Sequence, residues 1–136
     1  MKDFGKVIDL PYSTYEDFLR AIILNRMEFA RTHMPMIKIL LHEVPFQPEI
    51  RDPFKELVME IVFSRVTLVV EYFQKQGQLI EMPPATVIRL TVSTMVGFLL
   101  ARFLLAPDYA WDDEKEIENT IQFILYGLTP RQQTIK

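Results

Sequence analysis

The stretch that decides the fold is PPATVIRLTVSTMVGFLLARFLLA, residues 83–106. Two prolines open it, where a helix tolerates proline best, and Pro107 follows its end. On a helical wheel its residues separate into a face of small side chains and a face of bulky ones. A helix that is apolar on nearly every side has to be enclosed. The stretch therefore predicts a helix that other helices cover on both sides.

The two faces of this helix have different predicted roles. The small-residue face would let a helix of a second copy approach closely, and it consists of Leu90, Ser93, Thr94, Gly97 and Ala101. The bulky face would wall a core or a pocket, and it consists of Ile88, Val92, Met95, Phe98, Leu99 and Phe103. An ordinary core helix of a monomer is the competing interpretation. A membrane span is disfavoured, because the charge-free run between Arg89 and Arg102 is shorter than the about 20 residues that a bilayer needs.

Helix start and stop signals predict an all-α helical bundle of about five helices. The predicted helices cover Ser13 to His33, residues 36–44, Asp52 to Gln76, residues 83–106 and residues 113–128. Ser13 or Thr14 can cap the first helix, and Gly77 closes the third. No alternating pattern typical of a strand occurs. We expect one domain over residues 13–128, preceded by a tail or helix remnant at residues 1–12 and followed by a disordered tail at residues 129–136.

The last predicted helix has a single apolar stripe at helical spacing. Its members are Ile117, Ile121, Ile124, Leu125 and Leu128. Asp113 with Glu116 fits a capping box at the start of this helix, and Gly127 fits a C-terminal cap.

Composition excludes several classes of function. The net charge of −3 and the pI of about 5.4 give no electrostatic footprint for nucleic acid. Without cysteine there is no disulfide, thiolate nucleophile or zinc–cysteine site. His33 and His42 fall on different predicted helices, and the four glycines form no phosphate-binding loop. We therefore expect no enzyme activity, no metal and no cofactor. The first residues do not resemble a signal peptide, so a cytoplasmic protein is the default.

Four polar side chains project from otherwise apolar helix faces: Arg26, His33, Arg65 and Arg102. A buried charge needs a partner, an exit to water or a ligand. One interpretation is internal ion pairing, for instance with Glu43 or Glu71, or contact of Arg102 with the end of its own helix. The other is a lipophilic pocket with a cationic end. The candidate ligand-binding residues are Arg26, Phe29, His33, Val62, Arg65, Tyr72, Met95, Phe98 and Arg102.

The order of these segments resembles the C-terminal regulatory domain of tetracycline-repressor-type (TetR) transcription regulators. Three segments carry the resemblance: EYFQKQGQLI at residues 71–80, the helix at residues 83–106, and EIENTIQFILYGL at residues 116–128. The turn Gly77-Gln78-Leu79 and the ending Tyr126-Gly127-Leu128 are also similar to the family pattern. The family's N-terminal helix-turn-helix domain has no counterpart in the sequence. Residues 1–12 would then be a remnant of the helix that links the two domains.

The resemblance implies a homodimer whose last two helices form a four-helix bundle with those of a second copy. The segments that match are the small-residue face around Gly97 and the stripe of Ile117, Ile121, Ile124, Leu125 and Leu128. The earlier helices would enclose a small lipophilic effector, which can carry an acidic group, and operator DNA would be bound only through the N-terminal domain. A free-standing helical carrier of lipophilic molecules is the alternative function. A dimer favours the regulator, and a monomer favours the carrier.

Overall fold

A computed structural model describes Lys6, Ile8 and residues 11–130, so most of the predicted terminal segments at residues 1–12 and 129–136 lies outside the described residues. Over these residues the chain forms four helices and no strand. Helix α1 is Tyr15–Glu43 and helix α4 is Asp113–Leu128. Helix α2 has three successive parts: Pro48–Val58, a π-helical stretch Met59–Val66, and Thr67–Lys75. Helix α3 comprises Pro84–Leu100 and a π-helical end, Ala101–Leu105. The all-α prediction is confirmed.

The helix count is four rather than five because proline does not interrupt α1. The helix continues through Pro35 with one non-helical residue, His33, at φ −119° and ψ 24°. Proline lacks an N–H and clashes with the preceding turn, and a kink of this kind accommodates both effects. Helix α2 also begins earlier than the predicted Asp52: Gln47 is its N-cap, and Pro48 occupies the first turn. Pro53 lies inside the helix instead of starting it.

The predicted helix ends are partly right. Thr14 Oγ1 accepts a hydrogen bond from the Asp17 N–H at 3.1 Å, and Gly77 follows α2 with a φ of +77°. A positive φ is accessible to glycine at little cost. The capping residues of α4 were wrong. Its N-cap is Asp112, which accepts from the Lys115 N–H at 3.3 Å, and Gly127 lies within the helix.

The hydrophobic core occupies only one end of the bundle. Its largest fully buried side chains are Tyr15, Phe73, Ile8, Leu19, Ile23, Met27, Leu79, Ile88 and Ile121. In α1 the last buried residue is Ala30. Neither Pro48–Val58 nor Met59–Val66 contains a buried residue. The later part of α1 and the first part of α2, residues 34–58, therefore pack little against the rest of the chain.

Candidate functional site: the open face of α3 and the ion pairs at its end

Helix α3 is enclosed on one face and open on the other. Ile88 and Met95, from the predicted bulky face, are 1% and 6% exposed and belong to the core. Val92, from the same predicted face, is 41% exposed, so the core does not cover it. On the small-residue face, Leu90, Ser93 and Gly97 are exposed, and Thr94 and Ala101 are half-buried. The face that was predicted to meet a second copy is thus uncovered in the single chain.

Gly97 has no packing role within the described part of the chain. A Cβ atom built at this position meets no heavy atom within 4 Å. Glycine in the middle of a helix destabilises it by about 1 kcal/mol relative to alanine. Nothing among the described residues offsets that cost, so Gly97 does not relieve crowding against any of them.

The apolar character of α3 is high for a helix with so little burial. The helix Pro84–Leu105 has a mean hydropathy of 1.7 over its most apolar part, of which only 22% is buried. By length and composition alone it is the one helix in the described part of the chain that could cross a membrane. The core helix of a soluble protein satisfies the same criterion, although such a helix is mostly buried. Helix α3 therefore leaves much apolar surface that the rest of the subunit does not cover.

The isoleucine stripe of α4 packs inside the subunit. Ile121 has no exposed surface, and Ile117, Ile124 and Leu128 are 8%, 5% and 3% exposed, while Leu125 is half-buried against the same core. Side chains enclosed by their own chain cannot contact a second copy. This corrects the expectation that Ile117, Ile121, Ile124 and Leu128 lie in a dimer interface, whereas the same expectation for the half-buried Leu125 stays a prediction.

The outer side of α4 carries two exposed aromatic residues instead. Phe123 is 69% exposed and Tyr126 is 82% exposed. Their spacing of i and i+3 places them on one side of the helix. The sequence contained this signal, but the regular isoleucine stripe obscured it, because an amphipathic wheel does not say which of two apolar sides faces the core.

Three of the predicted ligand-binding residues form a row on α1. The Arg26 guanidinium donates to Asn25 Oδ1 at 3.0 and 2.6 Å and lies 4.7 Å from the centre of the Phe29 ring. The Phe29 ring is 4.6 Å from that of His33, the residue at the kink. All three side chains are half-buried. Arg26 is thus held by an amide and an aromatic ring on its own helix.

The other predicted ligand-binding residues differ in burial, and none of them lines either of two solvent-open concavities. Met95 is in the core, Val62 and Phe98 are half-buried against it, and Arg65 and Tyr72 are exposed. Two shallow concavities of about 500 and 490 Å³ are open to solvent and contain none of the predicted residues. The first is lined by Asp52, Lys55, Glu56 and Met59, and the second by Glu71, Gln74, Lys75, Glu81, Met82 and Pro83.

Arg102 forms an ion pair rather than the end of a pocket. Its Nε donates to Asp113 Oδ1 at 2.7 Å, and its Nη2 donates to Oδ2 at 3.3 Å. Arg31 on α1 donates to the same Oδ2 at 3.0 Å. The hydrogen bonding and then the charge of Arg102, followed by the hydrogen bond and charge of Arg31, hold the pKa of Asp113 below its usual range although burial opposes them. Internal pairing, the alternative given above for Arg102, is therefore correct for this residue, with Asp113 rather than Glu43 or Glu71 as the partner.

The turn between α3 and α4 is fastened to the end of α3. Trp111 Nε1 donates to the Ala106 carbonyl at 2.8 Å. The Trp111 ring is 6.2 Å from Phe98 and 5.2 Å from Tyr109, both edge to face. Together with the pair of Arg102 and Asp113, these contacts fix α4 against α3.

The geometry thus offers an open apolar face on α3 and α4, and a polar cluster where α1, α3 and α4 meet. Among the described residues, no group of three His, Asp and Glu side chains could hold a metal ion. Comparisons with protein-family models, with curated proteins and with solved structures found no match to this chain.

Proposed function

We propose that the chain is the effector-binding and dimerisation domain of a TetR-type transcription regulator. It acts in the cytoplasm as a homodimer, and its effector is a small lipophilic molecule. It has no catalytic role. Operator DNA is contacted by an N-terminal helix-turn-helix domain, and the effector changes that contact by favouring one of two arrangements of the dimer.

One observation carries the proposal: the uncovered strip of α3 centred on Gly97. Leu90, Ser93 and Gly97 are exposed, and a Cβ atom at Gly97 would meet no atom of the described residues within 4 Å. A helix of a second copy could approach this strip closely because Gly97 has no side chain. Two-fold symmetry places the same strip on both subunits, so the surface has to be complementary to itself. A strip of small residues satisfies that requirement.

The outer side of α4 extends the same proposed interface. Helices α3 and α4 pack against each other, and Phe123 and Tyr126 are exposed on α4. Two such pairs of helices from two copies would form a four-helix bundle. Exposed aromatic side chains are typical anchors of protein interfaces. The pairing would cover the largest apolar side chains that α4 exposes.

Effector binding is supported by the apolar residues that the core leaves partly uncovered. Val62 and Phe63 of α2 and Phe98 and Phe103 of α3 are half-buried and pack against the core from outside. The end of α1 and the start of α2 expose further large apolar side chains. An elongated apolar molecule would gain by covering such surface.

Light scattering combined with a Gly97→Leu substitution tests the dimer. We expect the unsubstituted protein to be a dimer at micromolar concentration, and Gly97→Leu to be a folded monomer, because the new side chain has space within the subunit but not against a second helix. Glu28→Leu adds the same side chain at an exposed position of α1 and should leave the dimer intact. A monomeric unsubstituted protein, or a dimer unaffected by Gly97→Leu, would contradict the proposal.

Thermal unfolding with dodecanol and dodecanoate tests the effector class. A ligand that binds only the folded state raises the melting temperature by linkage. We expect both molecules to raise it, and dodecanoate to do so more strongly if a cation contributes to binding. Equal increases in melting temperature with dodecanol and dodecanoate would mean that the effector needs no acidic group. If neither molecule raised the melting temperature, a lipophilic effector of this length would be contradicted.

The free-standing carrier of lipophilic molecules remains the second candidate. The exposed apolar side chains at the end of α1 and the start of α2 favour it, since a carrier needs such surface but needs no second copy. Dodecanol binding by a protein that stays monomeric would select this function over the regulator.

A further inference from the structure

A short strap between α2 and α3, residues 78–82, contacts both the start of α1 and the end of α4. Gly77, with its φ of +77°, turns the chain back at the end of α2, and the Gln78 N–H donates to the Phe73 carbonyl at 3.0 Å. A glycine in the left-handed region followed by such a bond is a common end of a helix. The strap therefore leaves α2 in a fixed direction.

The strap is held at several points along its length. Leu79 is 2% exposed and belongs to the hydrophobic core. Gln74, in the last turn of α2, donates from Nε2 to the carbonyls of Ile80 at 3.1 Å and of Met82 at 2.9 Å. One side chain of α2 thus binds two residues of the strap, so the strap moves together with the end of α2.

A backbone hydrogen bond joins the strap to the end of α4. The Ile80 N–H donates to the Leu128 carbonyl at 2.7 Å. Leu128 is the last residue of α4, and its side chain is 3% exposed. The last four carbonyls of a helix have no partner within that helix, and this bond satisfies one of them. The end of α4 is therefore tied to the strap by both backbone bonding and burial.

The side chain of Gln78 joins the strap to the start of α1. Its Oε1 accepts from the Tyr15 N–H at 3.1 Å, and its Nε2 donates to the Ser13 carbonyl at 3.4 Å. The Tyr15 N–H is among the first of α1, which have no partner within the helix. A side-chain amide suits this position because it accepts and donates at the same time.

The N-terminal segment joins the bundle at the same place. Ile8 is 2% exposed and belongs to the same hydrophobic cluster as Tyr15, Leu79 and Leu128. In the function proposed above, the DNA-binding domain precedes this segment. The strap thus lies between the end of a helix assigned to the dimer interface and the segment that leads to the DNA-binding domain.

We propose that the strap couples the end of α4 to the start of α1, so that a displacement of α4 changes the position of the segment that precedes Tyr15. The consequence for DNA binding rests on the proposed function, in which α4 lies in the dimer interface. Coupling between two sites is reciprocal, so a change at either end of the strap has to be felt at the other.

Hydrogen exchange of two amides, followed by NMR, tests the coupling. The Tyr15 N–H reports the contact with α1, and the Ile80 N–H reports the contact with α4. Gln78→Ala removes the acceptor of the Tyr15 N–H and should speed its exchange by about five-fold, as expected for one hydrogen bond. It should also speed exchange at Ile80 by at least about two-fold, the lower range for interacting groups. An unaffected Ile80 amide would overturn the proposal.

The reciprocal substitution is made on α4. Leu128→Val alters the packing at the end of this helix and should speed exchange at Ile80 and, through the strap, at Tyr15. Ile117→Val changes a buried side chain near the opposite end of α4, and Gln76→Ala removes an exposed amide just before the strap. Both controls should leave the two amides unchanged. Equal effects of Ile117→Val and Leu128→Val would indicate a general loss of stability and would overturn the coupling.

Distance measurements between subunits distinguish a failure of the coupling from a failure of the proposed dimer. The chain has no cysteine, so spin labels can be placed at Ser13→Cys and, as a control, at Glu28→Cys, both exposed. In the dimer, Gln78→Ala should broaden or shift the distance distribution at Ser13 and leave that at Glu28 unchanged. Unchanged distributions at both positions would overturn the effect on the N-terminal segment. A protein that gives no distance between subunits contradicts the dimer, and hydrogen exchange within the single subunit then still decides the coupling.

Discussion

Asp113 and Arg102 join the first turn of α4 to the π-helical end of α3 through two hydrogen bonds, the shorter of which is 2.7 Å between Nε and Oδ1. The side chains are 25% and 20% exposed, so solvent screens the pair only partly. A carboxylate in the first turn of a helix is also favoured by the helix dipole. Because Arg31 donates to the same carboxylate, this one side chain connects three helices.

Replacing Asp113 by Asn should destabilise the folded protein by about 1–2 kcal/mol, since charge-assisted hydrogen bonds are lost and two guanidinium groups lose their counter-charge. The unfolding free energy in urea at pH 7 measures the effect. Asp108→Asn, at an exposed position in the preceding turn, is the control and should change stability by less than about 0.5 kcal/mol. Equal effects of the two substitutions would mean that the cluster does not stabilise the fold.

The ion pair of Asp113 and Arg102 also predicts that the stability of the folded protein decreases at acid pH. The pKa of Asp113 is lower in the folded state than its ordinary value of 3.8, so its contribution is fully present above pH 3.8 and is lost as the pH falls through the lower folded-state value. Urea unfolding of the unsubstituted protein and of Asp113→Asn should therefore differ at pH 7 and converge at strongly acid pH. A difference that stays constant down to the acid limit would contradict this assignment.

Ile121→Ala tests whether the isoleucine stripe belongs to the core of one subunit. Ile121 is fully buried within the chain, so we expect a loss of about 2–5 kcal/mol. The loss should be the same at all protein concentrations, because the side chain contacts only its own subunit. Phe123→Ala, on the opposite and exposed side of α4, should leave the stability of the subunit nearly unchanged. Urea unfolding of the Ile121→Ala and Phe123→Ala proteins over a hundred-fold range of protein concentration measures both effects.

The exposed aromatic pair of α4 should control association if the proposed dimer is right. Phe123→Asp and Tyr126→Asp would each place a charge in an apolar interface, which is unfavourable without a partner, and should weaken the dimer by at least about ten-fold. Sedimentation equilibrium measures the dissociation constant. Leu68→Asp, which is equally exposed on α2, is the matched control and should have no effect. A dimer that tolerates both substitutions on α4 would require a different interface.

The buried Tyr15 predicts that the stability of the folded protein also decreases at alkaline pH. Its side chain is 1% exposed and its hydroxyl lies 3.4 Å from Thr91 Oγ1; burial raises the pKa of Tyr15 from 10.0 to about 12. Stability should be complete below pH 10 and fall as the pH rises toward 12, because the unfolded chain ionises first. Tyr15→Phe should reduce that fall and cost about 1 kcal/mol at neutral pH. Tyr72→Phe, at a residue 53% exposed, should leave the profile unchanged.

Much of the architecture follows from local patterns. Proline and glycine at the ends of α3 and α2, the Thr14 cap and the absence of alternating apolar residues predicted the all-α class and most of the helices. The errors have local causes as well. Pro35 was taken as a stop because proline disrupts regular helix, but a single non-helical residue at His33 absorbs the disruption. Asp112 rather than Asp113 caps α4, a difference of one residue that sequence reasoning seldom resolves.

The site residues were harder to predict because the role of each side chain depends on the residues that neighbouring helices place next to it. A helical wheel identified Arg102 as a charge on an apolar side, yet its partner Asp113 became evident only with α4 in position. The small-residue face of α3 was identified correctly as a distinct face, and its openness is a property of the packed subunit. For α4, the same reasoning chose the isoleucine side as the interface, whereas the packed chain encloses it.

The sequence by itself determined that this protein is a bundle of helices in which α3 is apolar on two sides, because helix propensity, caps and apolar periodicity are local properties of the chain. Only the tertiary structure decided which apolar sides are enclosed: Ile121 inward and Tyr126 outward, Met95 inward and Gly97 outward. The physical reason is that burial depends on the surfaces that neighbouring helices supply. A helix with two apolar sides carries no local information about which of them its neighbours will cover.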